Sequence, residues 1–182
     1  MTPVKTDKQE IDLDVCYREF APRLFAVAYR ILQNQTDALD VVQECFLRAF
    51  RNRKKFEARA RVSTWLYRIT VNLCYDLLRK RTREKKIEYL DNYDIKSVPF
   101  DGEKNLQQEK LVGQIKQEMK KLTPKQRTVF ILRLYEALPY NEIARITRSR
   151  VGTVKATYFQ SVMKLRRLLR QRGVLKNEMP AG

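Results

Sequence analysis

Five side chains able to stack on bases or to bind phosphate recur along one stretch, residues 63–81, that contains no Gly or Pro. At about 100° per residue of helix, they fall within roughly 80° of one another: Trp65, Arg68, Asn72, Tyr75 and Arg79. Such a strip suits stacking and hydrogen bonding to unpaired bases beside a phosphate backbone. The alternative is a core helix whose solvated side is aromatic and basic, and both interpretations remain open for this stretch alone.

The remaining positions of this stretch are apolar and predict a helix packed between other helices. Two neighbouring apolar stripes cover a wide arc: Leu66, Ile69, Leu73 and Leu77, then Tyr67, Val71, Cys74 and Leu78. Ser63 occupies the predicted N-cap position, where its hydroxyl would satisfy the first free amides.

The chain contains no histidine, which excludes histidine general acid–base chemistry, Ser-His and Cys-His nucleophiles and most zinc sites. Cys16, Cys45 and Cys74 are odd in number and lie in apolar helical patterns, so we expect buried free thiols, with redox sensing as the alternative. Magnesium chemistry on carboxylates stays open. A magnesium-dependent nuclease using carboxylates such as Asp40 and Glu44 is an alternative that lacks an evident third ligand.

The net charge of +17 is concentrated in two blocks. Residues 48–86 carry 14 basic and 3 acidic side chains, and residues 122–182 carry 13 and 3, whereas residues 1–45 carry 5 and 8. Two basic blocks predict two contacts with a polyanion, and the acidic first segment predicts a surface for a basic partner. Binding to a membrane surface is disfavoured, because the cations do not follow one long amphipathic face.

Helical periodicity with few Gly and Pro predicts an all-α chain of two small domains joined by a flexible linker. Pro22 marks a kink or a new helix start in the first apolar pattern, and Leu39, Val42, Cys45 or Phe46, and Ala49 form the predicted inward face of the next helix. The predicted divisions are a disordered N-terminus at 1–12, a domain at 13–86, a linker at 87–105, a domain at 106–175 and a tail at 176–182. Without a spanning apolar run or a signal peptide, we expect the protein to be cytoplasmic.

The second domain carries the clearest local signal, Thr123-Pro-Lys-Gln126, which combines a capping box with Pro at the first helical position. After Pro139 the pattern predicts a short helix at 140–146, a turn at 147–150 and a final helix at about 151–172, whose inner face is Val154, Tyr158, Val162, Leu165 and Leu169. This is the helix-turn-helix layout, with Ala144 allowing a close crossing. The alternative is an ordinary helical hairpin.

Five strings in this order and spacing resemble the extracytoplasmic-function (ECF, group IV) σ factors of the σ-70 family, small two-domain specificity subunits of bacterial RNA polymerase. They are Asp40-Val-Val-Gln-Glu-Cys-Phe46, Ser63-Thr-Trp-Leu-Tyr-Arg-Ile-Thr-Val-Asn72, Leu122-Thr-Pro-Lys-Gln-Arg127, Ile143-Ala144 and Val151-Gly-Thr-Val-Lys155. The resemblance covers roughly residues 13–82 and 106–170. It implies that σ domain 2 recognises the −10 promoter element and that a helix-turn-helix σ domain 4 recognises the −35 element.

For the first domain, the resemblance implies docking of an acidic helix on the coiled coil of the polymerase β′ subunit, through Asp40, Gln43, Glu44, Phe46 and Phe50. It also implies that the loop before the Trp65 helix captures a base flipped out of the −10 strand, with Asn72 contributing to the pocket. The predicted −10 contacts are Phe56, Arg59, Arg61, Ser63, Trp65, Arg68, Asn72, Arg79 and Arg83. Arg59 and Arg61 make this loop more basic than is common in the family.

The second domain departs further from the family pattern. Arg148, Ser149 and Arg150 stand where the family usually has Gly, a small apolar residue and a cap, and Ala156-Thr-Tyr-Phe-Gln-Ser161 replaces a more basic string. We predict phosphate contacts from Arg148, Arg150 and Lys155, and base-edge reading from Thr153, Ala156, Thr157 and Gln160. The −35 sequence should accordingly be unusual.

The expected partners are therefore core RNA polymerase (β′ coiled coil and β flap), promoter DNA and, as is usual in the resembled family, an anti-σ factor, without membrane insertion. The resemblance also implies no enzymatic activity, no cofactor and no metal, because the polymerase does the chemistry. The alternative function is a stand-alone helix-turn-helix regulator that binds a duplex operator without polymerase.

Overall fold

A computed structural model describes residues 12–53, 61–85 and 106–174, and these ranges form seven helices and no strand. The predicted all-α class is confirmed. Contacts divide the chain into two compact units, with the boundary between Cys74 and Tyr75 inside a continuous helix. The predicted linker at 87–105 and tail at 176–182 lie outside the described residues, as do residues 1–11. None of the described helices is both long and apolar enough to cross a bilayer.

The first unit opens with helix α1, Leu13–Leu32, whose first amides are capped by the Asp12 carboxylate. Pro22 lies inside this continuous helix, so the residue does not start a new one. The helix ends at Gln33, which takes the left-handed conformation at φ 58°. Helix α2, Gln35–Asn52, follows at once, with Asn34 as its N-cap, and packs on α1.

The inward face of α2 is lined by small residues, which allow the helices to approach closely. Its buried positions are Ala38, Val41, Val42, Cys45 and Ala49. Leu39 is 48% exposed, so its predicted inward position is wrong. Because these five small or β-branched residues occupy the buried face of α2, its larger apolar side chains lie on the exposed side.

Helix α3, Val62–Lys85, begins two residues earlier than an N-cap at Ser63 predicts. The amide of Trp65 bonds to the carbonyl of Arg61 at 3.2 Å, so Ser63 lies within the first turn and is not the N-cap. The thiol of Cys45 donates to the carbonyl of Leu66 at 3.6 Å and accepts from the Thr70 hydroxyl at 3.4 Å. These two bonds tie α2 to α3 within the core.

The second unit contains helices α4 (Leu106–Met119), α5 (Pro124–Leu134), α6 (Tyr140–Thr147) and α7 (Val151–Gln171). The predicted capping box at the start of α5 is confirmed, with Thr123 and Gln126 bonding to each other's backbone amides. Helix α7 packs against α4, α5 and α6 and provides the centre of the unit.

The buried face of α7 is rotated from the predicted one. Its buried positions are Val154, Thr157, Ser161, Leu165 and Leu169, while Tyr158 and Val162 are half-buried. The rotation follows from two small polar side chains packing inward, which a reading based on hydrophobicity assigns to the outside.

Candidate nucleic-acid interface

The predicted base-contact strip of α3 is partly embedded. Trp65, Arg68 and Asn72 are half-buried, so each presents one edge to solvent while the rest of the side chain is held by packing. Amide and guanidinium groups fixed in this way can offer hydrogen bonds at little conformational cost. Ser63, in the first turn of α3, is also half-buried.

The cations at the two ends of α3 are exposed. Arg61 lies just before the helix, and Arg79 and Arg83 lie on its last turns. Arg79 is paired with Asp76 one turn earlier, but an exposed pair of this kind contributes little and can exchange its partner for a phosphate. Phe56 and Arg59, the other predicted contacts, lie outside the described residues.

A separate surface of the first unit is apolar, and only part of it is predictable from the sequence. Phe50 is 56% exposed, and its ring carries the Arg53 guanidinium 4.2 Å from the ring centre. The half-buried ring of Phe46 meets the edge of Tyr17 on α1 at 4.9 Å. These rings belong to a groove of about 470 Å³. Its lining is Leu13, Asp14, Tyr17, Gln43, Phe46, Leu47 and Phe50.

Leu39, Tyr17 and Leu47 are exposed apolar residues on this side that sequence reasoning missed. The signal was present, because α2 carries more apolar residues than one inward face can bury. Asp40 is exposed on the flank, and Glu44 pairs with Arg48 at 2.7 Å. The result is an apolar strip bordered by carboxylates, a composition typical of a protein-binding surface.

The turn between α6 and α7 exposes two arginines with different backbone roles. Arg148 ends α6 in the left-handed conformation at φ 49°, with its amide bonded to the carbonyl of Ala144. Arg150 occupies the N-cap of α7 but makes no side-chain capping bond. The first amides of α7 therefore face outward beside two guanidiniums, an arrangement that favours phosphate.

The exposed side of α7 carries four of the predicted contacts, namely Thr153, Lys155, Ala156 and Gln160. Thr157 is only 9% exposed, and its carbonyl accepts a hydrogen bond from Ser161 inside the unit. This burial argues against the predicted role of Thr157 in reading base edges, because the side chain packs toward the core. Phe159, the neighbour of Tyr158 on α7, is 65% exposed. An aromatic ring at this position can pack on a thymine methyl group.

The three cysteine thiols of the first unit have raised pKa values. Burial raises the pKa of the Cys45 thiol to about 11 and also raises the pKa of Cys16 and Cys74. All three cysteines are buried and free, as predicted, and a thiol with a raised pKa stays protonated and weakly nucleophilic at neutral pH. Across the described residues, no group of three or more His, Cys, Asp or Glu side chains could hold a metal ion.

Comparisons with known proteins match both units in chain order. Residues 16–84 match the family described as Sigma-70 region 2, and residues 113–165 match the family described as Sigma-70, region 4. The chain is 33% identical over 166 residues to the ECF RNA polymerase sigma factor SigW of Bacillus subtilis (strain 168), covering 83% of this chain and 85% of that protein. It is 29% identical over 154 residues to the RNA polymerase sigma factor SigV of the same organism, covering 85% and 89%.

Among solved structures, the chain is similar to the sigma factor RpoE in its complex with the anti-sigma factor NepR from Bartonella quintana. The TM-score is 0.71 at 25% identity, with 87% of this chain and 97% of that chain covered.

Proposed function

The chain belongs to the extracytoplasmic-function σ factors of the σ-70 family, and on that premise we propose that three separate surfaces divide its work between polymerase, the −10 element and the −35 element. As an RNA polymerase σ factor it is not an enzyme, because the polymerase makes the RNA. The observation that carries the proposal is that two matched σ regions each present their own basic face, around α3 and around the α6–α7 turn. We assign residues 13–86 and 106–175 to these two functions, joined by 87–105.

Core RNA polymerase would dock on the exposed side of α2. Phe46, Phe50 and Gln43 supply the groove, while Asp40 and Glu44 border it. Apolar rings give such an interface its affinity, and the flanking carboxylates favour a basic partner over an acidic one. Leu39, Leu47 and Tyr17 extend the proposed contact beyond the residues predicted from sequence.

The −10 element would bind along α3 and the segment before it. Unstacking a base costs a few kcal/mol (roughly 2–4), which the half-buried Asn72 amide, the Trp65 ring and neighbouring cations together can offset. Arg61, Arg68, Arg79 and Arg83 would neutralise phosphates on either side of that base. Captured bases then hold the strands apart, so melting is driven by binding to the non-template strand.

The −35 element would be read by α7. Its outward amides, with Arg148, Arg150 and Lys155, anchor phosphates and fix the register of the helix in the major groove. Thr153, Ala156, Gln160 and Phe159 are then the exposed positions that face base edges. None of these four is cationic, which supports a −35 sequence different from that of more basic recognition helices.

An anti-σ factor is the proposed regulatory partner, since the similar RpoE structure was solved bound to one. The exposed apolar strip of α2 is a surface that such a partner could cover, which would block polymerase by competition. We propose a cytoplasmic location, where polymerase and promoters are found.

Reconstitution with bacterial core polymerase and genomic DNA tests the proposal. We expect new transcript starts that share two elements and depend on the added chain. Absence of both polymerase binding and new starts would refute it. Tight binding to a duplex operator with no polymerase contact would instead favour a stand-alone helix-turn-helix regulator.

A further inference from the structure

The first residue of α6, Tyr140, lies where the ends of three helices meet. The guanidinium of Arg133, in the last turn of α5, lies 4.7 Å from the centre of its ring. The ammonium of Lys155, near the start of α7, lies 5.9 Å from the same centre. Two cations from different helices therefore share one aromatic ring.

The Tyr140 ring is held in place by two further aromatic rings. Tyr140 meets the edge of Tyr158 at 6.1 Å, and Tyr158 stacks on Phe130 at the same distance. Phe130 is only 7% exposed, so the column formed by these three rings begins in the core. Arg133 is also fixed, since it donates to the carbonyl of Leu138 at 3.1 Å. The column gives Tyr140 little freedom, and Tyr140 in turn limits the freedom of the two cations.

Both cations remain available to an external anion. Among the described residues, no carboxylate forms an ion pair with Arg133 or Lys155. The two charges lie at most about 11 Å apart, because they stand 4.7 and 5.9 Å from the same ring centre, so they can reach neighbouring phosphates of one DNA strand. Like charges held this close repel, and the negative face of the ring offsets part of that repulsion.

We propose that Tyr140 is a positioning residue that holds Arg133 and Lys155 as a two-cation clamp on the DNA backbone beside the α7 recognition helix. The proposal rests on the DNA-binding role assigned to the second unit above, and it adds Arg133 to the phosphate contacts. Tyr140 acts through the two cations, so its aromatic face matters and its hydroxyl does not. The clamp would set the depth at which α7 enters the major groove, because it binds the DNA backbone where α5, α6 and α7 meet.

A double-mutant cycle on the full chain tests the clamp. Binding to a fluorescein-labelled DNA duplex is measured by anisotropy between about 50 and 200 mM salt. Tyr140→Leu should weaken binding about fivefold to thirtyfold, the loss of two exposed cation–π contacts. Tyr140→Phe, the matched control that keeps the ring, should bind like wild type. The Arg133→Gln, Lys155→Gln variant should lower the salt slope by about 2, and adding Tyr140→Leu to it should change affinity less than about twofold.

Three results would overturn the clamp. An unchanged salt slope in the double glutamine variant would show that the cations do not touch phosphate. A loss from Tyr140→Leu that persists in the glutamine background would show that the ring acts by itself. Weak binding by Tyr140→Phe would assign the effect to the hydroxyl. If circular dichroism shows that Tyr140→Leu is misfolded, two measurements still test the clamp. They are the salt slope of DNA binding by the double glutamine variant and the DNA affinity of Tyr140→Phe.

The outcome is separable from the σ-factor function. Wild-type chain that directs transcript starts but shows no coupling in the cycle would overturn the clamp alone. A complete clamp signature without polymerase-dependent starts would overturn the promoter-selecting function and leave a DNA-binding device.

Discussion

The hydroxyl of Ser161, in α7, donates a hydrogen bond to the backbone carbonyl of Gln126, in α5, at 3.2 Å. Ser161 has no exposed surface, and its single hydroxyl proton is shared between this carbonyl and the nearer carbonyl of Thr157, at 2.6 Å. This contact joins the capping-box helix to the recognition helix and fixes which side of α7 faces outward. The exposed positions of α7 therefore depend on a bond between residues 35 apart in sequence.

Ser161→Ala should destabilise the second unit by about 1 kcal/mol, the usual contribution of a buried neutral hydrogen bond. Hydrogen exchange of the α7 amides measures this locally, which avoids treating two units as one transition. Ser149→Ala, which removes a local hydroxyl bond to Thr147 in the same unit, is the control and should have a smaller effect on α7. Equal protection in wild type and Ser161→Ala would contradict the prediction.

Arg127 should be the most sensitive polar residue of the second unit. Its buried guanidinium donates to the carbonyls of Met119, Lys120 and Leu122, which end α4 and begin the following turn. Burial lowers the pKa of Arg127, a sign of the desolvation that these three bonds offset. Arg127→Ala should cost about 3 kcal/mol or more in the free energy of unfolding, because buried carbonyls lose their donor.

Arg127→Lys separates charge from geometry, since an ammonium cannot reach three carbonyls in the planar arrangement of a guanidinium. We expect Arg127→Lys to be less stable than wild type but more stable than Arg127→Ala. Denaturant unfolding followed by circular dichroism measures this free energy of unfolding. Exposed Lys125→Ala on the same helix should be close to neutral. A neutral Arg127→Ala would show that the three bonds contribute nothing net.

Arg148→Gly should stabilise the helix-turn-helix while weakening its hold on DNA. The residue sits at φ 49°, where a side chain costs about 1 kcal/mol and glycine is unstrained. Arg148→Ala is the matched variant, since it loses the same charge but keeps the strained Cβ. The glycine variant should unfold a few degrees higher than the alanine variant, and both should show a salt slope lower by about 1. Identical melting temperatures would argue against backbone strain.

Phe50→Ala should weaken binding to core polymerase about tenfold, because an exposed aromatic ring that lines a groove is a typical hot spot. Phe159→Ala is a reciprocal control, since it removes an equally exposed ring from the other unit. It should leave core binding intact and weaken promoter binding instead. Competition for core polymerase against a labelled σ factor measures the first effect. Core binding by Phe50→Ala at the wild-type affinity would place the docking surface elsewhere.

Asn72→Ala should slow open-complex formation about tenfold while leaving core binding unchanged, since the amide is assigned to the flipped base. Permanganate reactivity of unpaired thymines reports the melted bubble directly. Asn52→Ala makes the same substitution on α2, where the amide only caps a helix end, and should melt promoters normally. If core binding fell with Asn72→Ala, the residue would be structural.

Much of the fold was readable because it depends on neighbours in sequence. The capping box of Thr123 and Gln126 needs only three residues of spacing and a proline, and it forms as predicted. Helix existence followed equally well from periodicity. The predictions that fail concern which side of a helix is buried. Hydrophobicity predicts that Leu39 faces inward and Thr157 outward, but in the structure Leu39 is exposed and Thr157 is buried.

The sequence by itself determined the all-α class, the order of the helices, the two basic blocks and the motifs of the family, since each of these is local or compositional. The tertiary structure decided which side of each helix is exposed. Small inward residues such as Ala38 and Ala49 let α2 approach its neighbours and left larger apolar side chains for a partner. Long-range contacts decided the rest, because the bond from Ser161 to Gln126 and the ring shared by Arg133 and Lys155 join helices whose approach no local pattern specifies.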